Sequence, residues 1–447
     1  MPGVRMAVLR RELRTTLRDP VTRGWLVVTG GSVTRLAIGL IGSVLVARAL
    51  GLAGLGVYAV LAALVSVLGA VADFGLTETA VLRVASSWMP RPDLAGERAR
   101  GFFWTRVGLA TAVGLAGLLV SLPLASRWGA VGRDGRLVAL ALAGVVATAL
   151  SGAVSALLQA TGRFGRLSLV MVANAVLTAV CAGGLALAGR LTVVSALAVL
   201  GAGTSLACFV LGARLLPVGL DLTFPGWHVV RREVRALLSF GVWIWIANSL
   251  AMLAAQLDLF VAGRWLAPAA VGVYALAVNL AAKAGVVNQS LHAALLPAAS
   301  SLSGRREVRA FLRRGLLRSG LIALVLLPLV PLARWLIVTL YGGAFTAAAA
   351  IFPALLGVAI VDVFAAPVLL LAFPANRPRL IAAADALRVV AFLAVAALMV
   401  PRVGVFGLVW ARLCASVAGV TVTAVVLGRV RFDGAVEPAA SSASSGV

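Results

Sequence analysis

The sequence contains few charged, sulfur-containing or phenolic residues. Charged residues make up 12% of the 447 positions, and there are only two histidines, three cysteines and three tyrosines. Soluble domains carry about 25% charged residues. A chain with half that share cannot cover the surface of a water-soluble fold of this size, so an ordinary soluble protein is excluded.

Motifs for metal binding, disulfide formation and nucleotide hydrolysis are also missing. Cys181, Cys208 and Cys414 all fall inside apolar runs, without a CxxC pair or a neighbouring histidine, and are expected to be small buried hydrophobic residues. No GxxxxGK[ST] phosphate-binding loop occurs. We therefore expect no cofactor, no metal site and no ATP hydrolysis, and a protein that is not an enzyme.

Long apolar runs dominate the rest of the chain. Hydrophobic residues make up 62% of the sequence, and the mean hydropathy is +1.06. Runs of about 20 residues are long enough to cross a hydrocarbon core of about 30 Å as helices, and they lack the alternation of a β-barrel. The sequence predicts an all-α integral membrane protein with about twelve transmembrane helices. The predicted spans lie near 25–47, 56–80, 102–124, 137–158, 167–189, 192–215, 240–262, 271–296, 316–338, 347–373, 380–400 and 404–427.

The arginines between the predicted spans are distributed unevenly over the two membrane faces. With twelve spans, 27 arginines lie on the side of the termini and eight lie on the other side. Because cytoplasmic loops carry the excess of basic residues, both termini are predicted to be cytoplasmic. The net charge of +24 is thereby explained by membrane topology, and nucleic acid is not expected as a partner.

Short turns between spans one and two and between spans seven and eight repeat each other. Gly56-Val57-Tyr58-Ala59 recurs 216 residues later as Gly272-Val273-Tyr274-Ala275. A weaker match relates LLQATGRFGRL to LLLAFPANRPRL at an offset of 213. We therefore predict two six-helix lobes in one orientation, related by an axis along the membrane normal. The predicted divisions are a basic cytoplasmic arm (1–24), an N-lobe (25–215), a cytoplasmic linker (216–239), a C-lobe (240–428) and a disordered cytoplasmic tail (429–447).

The segment ARALGLAGLGVYAVLAALVSVLGAVADFGLTETAVLRVAS resembles a known transporter family. Its ARxLG turn, GxYA start of span two and ADFGL ending are similar to those of Wzx-type polysaccharide biosynthesis flippases in the multidrug/oligosaccharidyl-lipid/polysaccharide (MOP) exporter superfamily. The resemblance covers about residues 20–430, and its specific motifs lie mainly in the first hundred. Related lipid II flippases typically have two further helices.

This resemblance implies two pseudo-symmetric lobes around a central cavity that opens alternately to each side. It also implies an undecaprenyl-pyrophosphate-linked oligosaccharide as the substrate, carried from the inner to the outer leaflet of a bacterial cell membrane. Membrane lipids, and glycan polymerase or ligase machinery, are the candidate partners that follow from it.

Arg35 lies about 16 Å into span one, near the membrane midplane. Gly31, Gly39 and Gly42 share its helical stripe, so the stripe can serve either close helix packing or the wall of a cavity that presents one cation. A charged group at this depth costs about 2.5–3.5 kcal/mol on insertion scales and usually faces protein or water. We predict that Arg35 binds the substrate pyrophosphate.

Lys283 lies about 18 Å into span eight, also near the midplane. Asn279 falls on the same helical face, so the two residues form a polar stripe. A compact ammonium group suits a phosphate oxygen. Lys283 and Asn279 are therefore predicted to bind substrate, and the alternative for Lys283 is a structural pair with Asp258 or Asp362.

The other intramembrane charges have more than one interpretation. Arg388 and Arg412 are further candidates for substrate binding, although Asp385 can neutralise Arg388 at i,i+3 spacing. Arg83, at the cytoplasmic rim, is a substrate-binding candidate that topology alone can also explain. Asp258 and Asp362 are candidates for binding a coupling ion, because a carboxylate in a low dielectric can titrate near neutral pH.

Two other functions compete with the flippase. A cation-coupled multidrug antiporter of the same superfamily would need an acid at the cavity; span one carries Arg35 instead, and Asp258 supports this alternative. A polytopic membrane glycosyltransferase or polymerase would need an acidic early outer loop or a large outer loop. Residues 48–56 contain no acid and no predicted outer loop is large, so this class is disfavoured.

Overall fold

The chain is described by a computed structural model over four stretches, namely residues 20–125, 135–300, 304–371 and 378–428. These stretches form helices and contain no strand. Most of the predicted basic arm and the whole predicted tail lie outside the described residues. The helices are α1 (Pro20–Asp73), α2 (Leu76–Trp88), α3 (Pro92–Ala125), α4 (Gly135–Ala160), α5 (Phe164–Leu187), α6 (Val193–Arg214), α7 (Trp227–Trp265), α8 (Pro268–Ser300), α9 (Arg305–Leu326), α10 (Leu329–Tyr341), α11 (Thr346–Leu370), α12 (Pro378–Val403) and α13 (Val405–Gly428).

The helices have the length and apolar composition that crossing a membrane requires. Eight helices of the described residues meet both conditions, and a ninth crossing arises if α9 and α10, which meet at a bend of 42°, form one broken span. Every predicted span overlaps a helix. The all-α membrane fold is thus confirmed, whereas the count of twelve spans stays a prediction.

Backbone breaks divide the N-terminal part of the chain. The 54 residues of α1 would extend about 80 Å, far more than one crossing, and Gly51, with φ of 64°, interrupts the helix. The predicted span 56–80 stops at Asp73 because Phe74 and Gly75 both adopt positive φ, 52° and 68°. Two successive left-handed residues cannot continue a right-handed helix.

The chain divides into two compact units, Met1–Gly272 and Val273–Val447. In the first unit, α1 packs against α5 and α7, and α3 packs against α4. A cluster of buried side chains that includes Leu76, Phe102 and Leu157 holds α2, α3 and α4 together. The predicted lobe boundaries remain predictions, but α7, assigned from the sequence to the C-lobe, packs within this first unit.

Gly56 and Gly272, which the internal repeat relates, each lie against the backbone of the turn that contains the other, inside the first unit. A Cβ on Gly56 would collide with the backbone oxygen of Pro268, and a Cβ on Gly272 would collide with the backbone oxygen of Leu52. Both glycines and both carbonyl residues are separated by 216 positions. The internal repeat therefore relates one of these contacts to the other. Only glycine permits such a close approach of the two backbones.

In the second unit, a serine compensates for a proline inside a membrane helix. Pro367 lies within α11 and has no N–H, so the carbonyl of Val363, four residues earlier, has no helical donor. Ser319 of α9 donates to that carbonyl at 2.9 Å and is fully buried. Gly315, one turn before Ser319, leaves room for the Pro367 ring, which a Cβ there would meet at 2.8 Å. Neighbouring side chains commonly satisfy the carbonyls that prolines free in membrane helices.

Candidate functional site

Arg35 lies on the exposed side of α1. The glycine stripe around it divides between two environments, since Gly31 and Gly42 approach Ser168 and Ala179 of α5 while no atom lies close to Gly39. Among the described residues, no carboxylate lies within ion-pair distance of Arg35. The close packing thus involves the glycines and not the arginine, and the substrate role of Arg35 stays a prediction.

Lys283 and Asn279 form a contact on α8. The ammonium donates to the Asn279 side-chain oxygen at 2.7 Å, and Lys283 is half-buried. No carboxylate of the described chain pairs with Lys283. An ammonium has three N–H donors, and the contact with Asn279 uses one of them. The polar stripe predicted from the sequence is present, whereas its role in substrate binding stays a prediction.

Asp362, Arg388 and Arg412 meet in the second unit. Ser416 hydrogen-bonds the Asp362 side chain, and both arginines interact electrostatically with its carboxylate. The Arg388 side chain lies across Gly419 of α13, in space that a Cβ there would fill. Three residues from three helices therefore form one charged cluster. The side chain of Asp385, the predicted partner of Arg388, lies outside the described residues.

Asp258 is a buried residue of α7. Its exposed fraction is 2%, and its Oδ1 accepts a hydrogen bond from the backbone N–H of Leu259 at 2.9 Å. The Asp258 carboxylate is thus enclosed by protein in the first unit. The proposed role of Asp258 in ion coupling stays a prediction.

Arg83 forms a two-pronged ion pair with Glu233. Its Nη1 lies 2.7 Å from Oε2, and its Nη2 lies 3.2 Å from Oε1. Burial raises the pKa of Glu233, and the charges of Arg83, Arg232 and Arg98 counteract this rise. An anionic substrate would have to displace the Glu233 carboxylate to bind Arg83. The Glu233 carboxylate would therefore compete with the substrate for Arg83, and the sequence did not indicate this pair.

Further polar contacts fasten the predicted linker to α3. Arg232 pairs with Glu97 at 2.7 Å and Arg100 pairs with Asp221 at 3.1 Å, while the Trp104 indole donates to the Leu222 carbonyl at 3.0 Å. Residues from Trp227 onward already belong to α7. The connection that the sequence suggests as a linker is thus held at several points.

The ADFGL motif contains an ion pair that sequence reasoning missed. Asp73 pairs with Arg106 of α3 at 2.6 Å, and Thr77 donates to Asp73 at 2.5 Å while also contacting Arg106. The Phe74 ring stacks on Trp245 with 4.2 Å between centroids. The sequence carried no signal for this pair, because Asp73 and Arg106 lie on different helices. The motif ties α1, α2, α3 and α7 together.

A family model described as polysaccharide biosynthesis protein matches residues 45–350 of the chain. A search of curated protein sequences found none that matches this chain.

Solved structures of membrane transporters share the fold. An inward-facing multidrug resistance MATE family transporter of the MOP superfamily is 16% identical, with a TM-score of 0.67 over 90% of this chain and 98% of that chain. The lipid II flippase MurJ in an inward closed conformation is 11% identical, with a TM-score of 0.65 over 90% of this chain and 87% of that chain. A eukaryotic MATE transporter is 13% identical, with a TM-score of 0.62 over 93% and 97% of the two chains.

Proposed function

The chain belongs to the polysaccharide biosynthesis protein family, and we propose that it is a flippase for an undecaprenyl-pyrophosphate-linked oligosaccharide. The lipid-linked glycan passes from the inner to the outer leaflet of a bacterial cell membrane by alternating access. The observation that carries this proposal is the family match over residues 45–350. The transporter fold shared with flippases and exporters supports it.

The residues that we propose bind the substrate include cations in each unit that can neutralise a phosphate. Arg35 is exposed on α1 without a carboxylate partner among the described residues, and Lys283 keeps donors beyond its bond to Asn279. A guanidinium can bind two phosphate oxygens at once, and an ammonium adds a point charge. Arg388 and Arg412, which both interact with the Asp362 carboxylate, are further candidates for binding the substrate.

Export measurements on charge variants test the proposal. Arg35→Ala and Lys283→Ala should each abolish glycan export in cells, with normal amounts of folded protein in the membrane. Arg35→Lys should retain part of the activity because the charge survives without the fork geometry. Arg264→Ala is the matched control, since Arg264 is equally exposed at the end of α7. Export at the wild-type rate in both alanine variants would refute the proposed site.

The substrate itself is tested by reconstitution. Purified protein in liposomes should translocate an undecaprenyl-pyrophosphate-linked glycan, and the Arg35→Ala variant should not. Translocation of a cationic drug with proton exchange, and no movement of the lipid-linked glycan, would instead establish the multidrug antiporter. Asp258→Asn would then be the variant expected to lose coupling, because Asp258 is a buried carboxylate.

The proposed orientation has both termini in the cytoplasm. Reporter fusions at Arg98, Arg309 and Val447 should show cytoplasmic fluorescence and low alkaline phosphatase activity, whereas a fusion at Arg133 should show high phosphatase activity. High phosphatase activity at Arg309 would contradict this topology.

A further inference from the structure

A cavity of about 370 Å³ lies in the first unit, where the apolar helices α4 and α6 end and α5 begins. It is formed by the C-terminal end of α2, the turn that joins α4 to α5, and the segment in which α6 ends. Its volume falls within the range of about 300–1,000 Å³ that small-molecule sites occupy. The residues that line it are Trp88, Arg163, Arg166, Arg214, Leu215, Leu216, Pro217 and Val218.

The cavity has an uncompensated positive charge. Three arginines line it and no acidic residue does. Arg166 donates to the Leu215 carbonyl at 2.7 Å, which fixes its guanidinium at the wall. The exposed side chains of Arg163 and Arg214 form no ion pair within the described stretches.

Three other arginines on the same predicted membrane face are compensated by acidic residues. Arg83, Arg100 and Arg232 each pair with a carboxylate, at 2.7 to 3.1 Å. Topology explains why this face is basic. It does not explain why three arginines converge on one cavity without a counter-charge. The arrangement is that of a site for an anion supplied from outside the chain.

The backbone at the cavity adds to this preference. Arg163 immediately precedes α5 and Arg166 lies in its first turn. Helix N-termini present free N–H groups and the positive end of the helix dipole, both of which stabilise an anion. Gly162, with φ of 69°, makes the tight turn that brings this helix start beside the end of α6.

Apolar groups border the charged wall. Trp88 lines the cavity together with Leu215, Leu216 and Pro217, and Val218 is fully exposed at its edge. Tryptophan is enriched where membrane helices reach the headgroup level. The cavity is formed where α4 and α6 end and α5 begins, so its depth matches that of lipid phosphates and not that of the midplane. A ligand with a phosphate and an acyl chain matches this arrangement, because the phosphate suits the arginines and the acyl chain suits the apolar border.

We propose that this cavity binds the phosphate of an anionic membrane lipid, with Arg163, Arg166 and Arg214 as its ligands. The site is distinct from Arg35 and Lys283 and does not depend on the transported substrate. Guanidinium groups bind phosphate oxygens in pairs through charge-assisted hydrogen bonds, and the lipid chains lie along the adjacent apolar surface.

Native mass spectrometry of the purified protein, titrated with phosphatidylglycerol, tests the site. Arg163→Gln/Arg214→Gln should weaken binding of the first lipid by about 10- to 30-fold, since each basic residue at a membrane surface contributes about a factor of five. Arg163→Lys/Arg214→Lys should fall between this variant and the wild type. The control is Arg231→Gln/Arg235→Gln, which removes two exposed arginines of α7 on the same face, and it should leave the first affinity unchanged.

The possible outcomes separate the sources of the phosphate. An equal loss in the control double variant would overturn the proposal, because binding would then depend only on general surface charge. Inorganic phosphate or pyrophosphate competing as effectively as the lipid would also overturn it, in favour of a soluble anion. Tighter binding of undecaprenyl pyrophosphate than of phosphatidylglycerol, lost in the same variant, would also overturn it, because the cavity would then bind the transported lipid and would not be independent of the substrate. The thermal stability of each variant, measured alongside, verifies that the protein is folded.

Discussion

Ser319→Ala is expected to destabilise the protein because it removes the donor for a carbonyl that has no other. The Val363 carbonyl lacks its helical partner because Pro367 has no N–H, and Ser319 supplies the bond at 2.9 Å from a fully buried position. Interhelical hydrogen bonds in membrane proteins contribute about 0.6 kcal/mol on average and up to about 1.7 kcal/mol. Since the carbonyl has no water to replace the serine, we expect a loss of about 1–1.5 kcal/mol.

A double-mutant cycle isolates this bond from the other effects of the substitution. Pro367→Ala restores an N–H that can donate to Val363 within α11, so the second substitution, Ser319→Ala, should then cost less than about 0.3 kcal/mol. The free energy of unfolding can be measured for all four proteins in mixed dodecyl maltoside and dodecyl sulfate micelles. The interaction energy of the cycle should be about 1 kcal/mol.

Ser155→Ala is the matched control for this cycle. The Ser155 hydroxyl bonds the Ser151 carbonyl within its own helix at 2.9 Å, where the backbone already supplies a donor, so its loss should change stability little. If Ser319→Ala costs the same with Pro367 and with Ala at that position, the serine does not act by satisfying the freed carbonyl and the reasoning is refuted.

Two further perturbations concern the first unit. Gly272→Ala should destabilise by about 1–3 kcal/mol because its Cβ would collide with the Leu52 carbonyl, whereas Gly357→Ala, with nothing within 4 Å, should be neutral or stabilising; equal melting temperatures for both variants would contradict this. Arg83→Ala should cost about 2–3 kcal/mol by leaving Glu233 buried without its main partner. Burial raises the pKa of Glu233 above 4.5, so Glu233 is protonated at a higher pH in the folded state than in the unfolded state. The destabilisation by Arg83→Ala should therefore shrink as the pH falls from neutral toward 4.5, because a neutral Glu233 no longer needs the arginine. A destabilisation that does not change with pH would show that the charge of Glu233 is not its cause.

The sequence predicts the membrane helices well because hydropathy and chain length act locally. A run such as 137–158 must be helical in lipid, and the structure has α4 at Gly135–Ala160. The contact between Asn279 and Lys283 also follows from helical spacing alone. The break after Asp73 does not follow from hydropathy, because it depends on the left-handed conformation of Phe74. The Phe74 ring stacks on Trp245, a residue far away in the sequence.

Pairings between distant positions could not be derived in the same way. Glu233 lies 150 residues from Arg83, and one sequence gives no measure of which helices are neighbours. The position of Arg83 at the rim therefore gives no sign of Glu233 as its partner. In the same way, the spacing of Asp362, Arg388 and Arg412 along the chain does not reveal that the packing of α11, α12 and α13 brings them into one cluster.

The reciprocal contact of Gly56 and Gly272 makes substitutions at the two positions depend on each other. Gly56 faces the carbonyl of Pro268, and Gly272 faces the carbonyl of Leu52. The two glycines are 216 positions apart, and so are the two carbonyl residues. A contact that matches itself in this way is what a two-fold homodimer uses, where one surface patch meets its own copy. In this chain both copies of the patch lie on one polypeptide, so a side chain added at either glycine meets the backbone of the other turn. A substitution at one glycine therefore disturbs both turns at once.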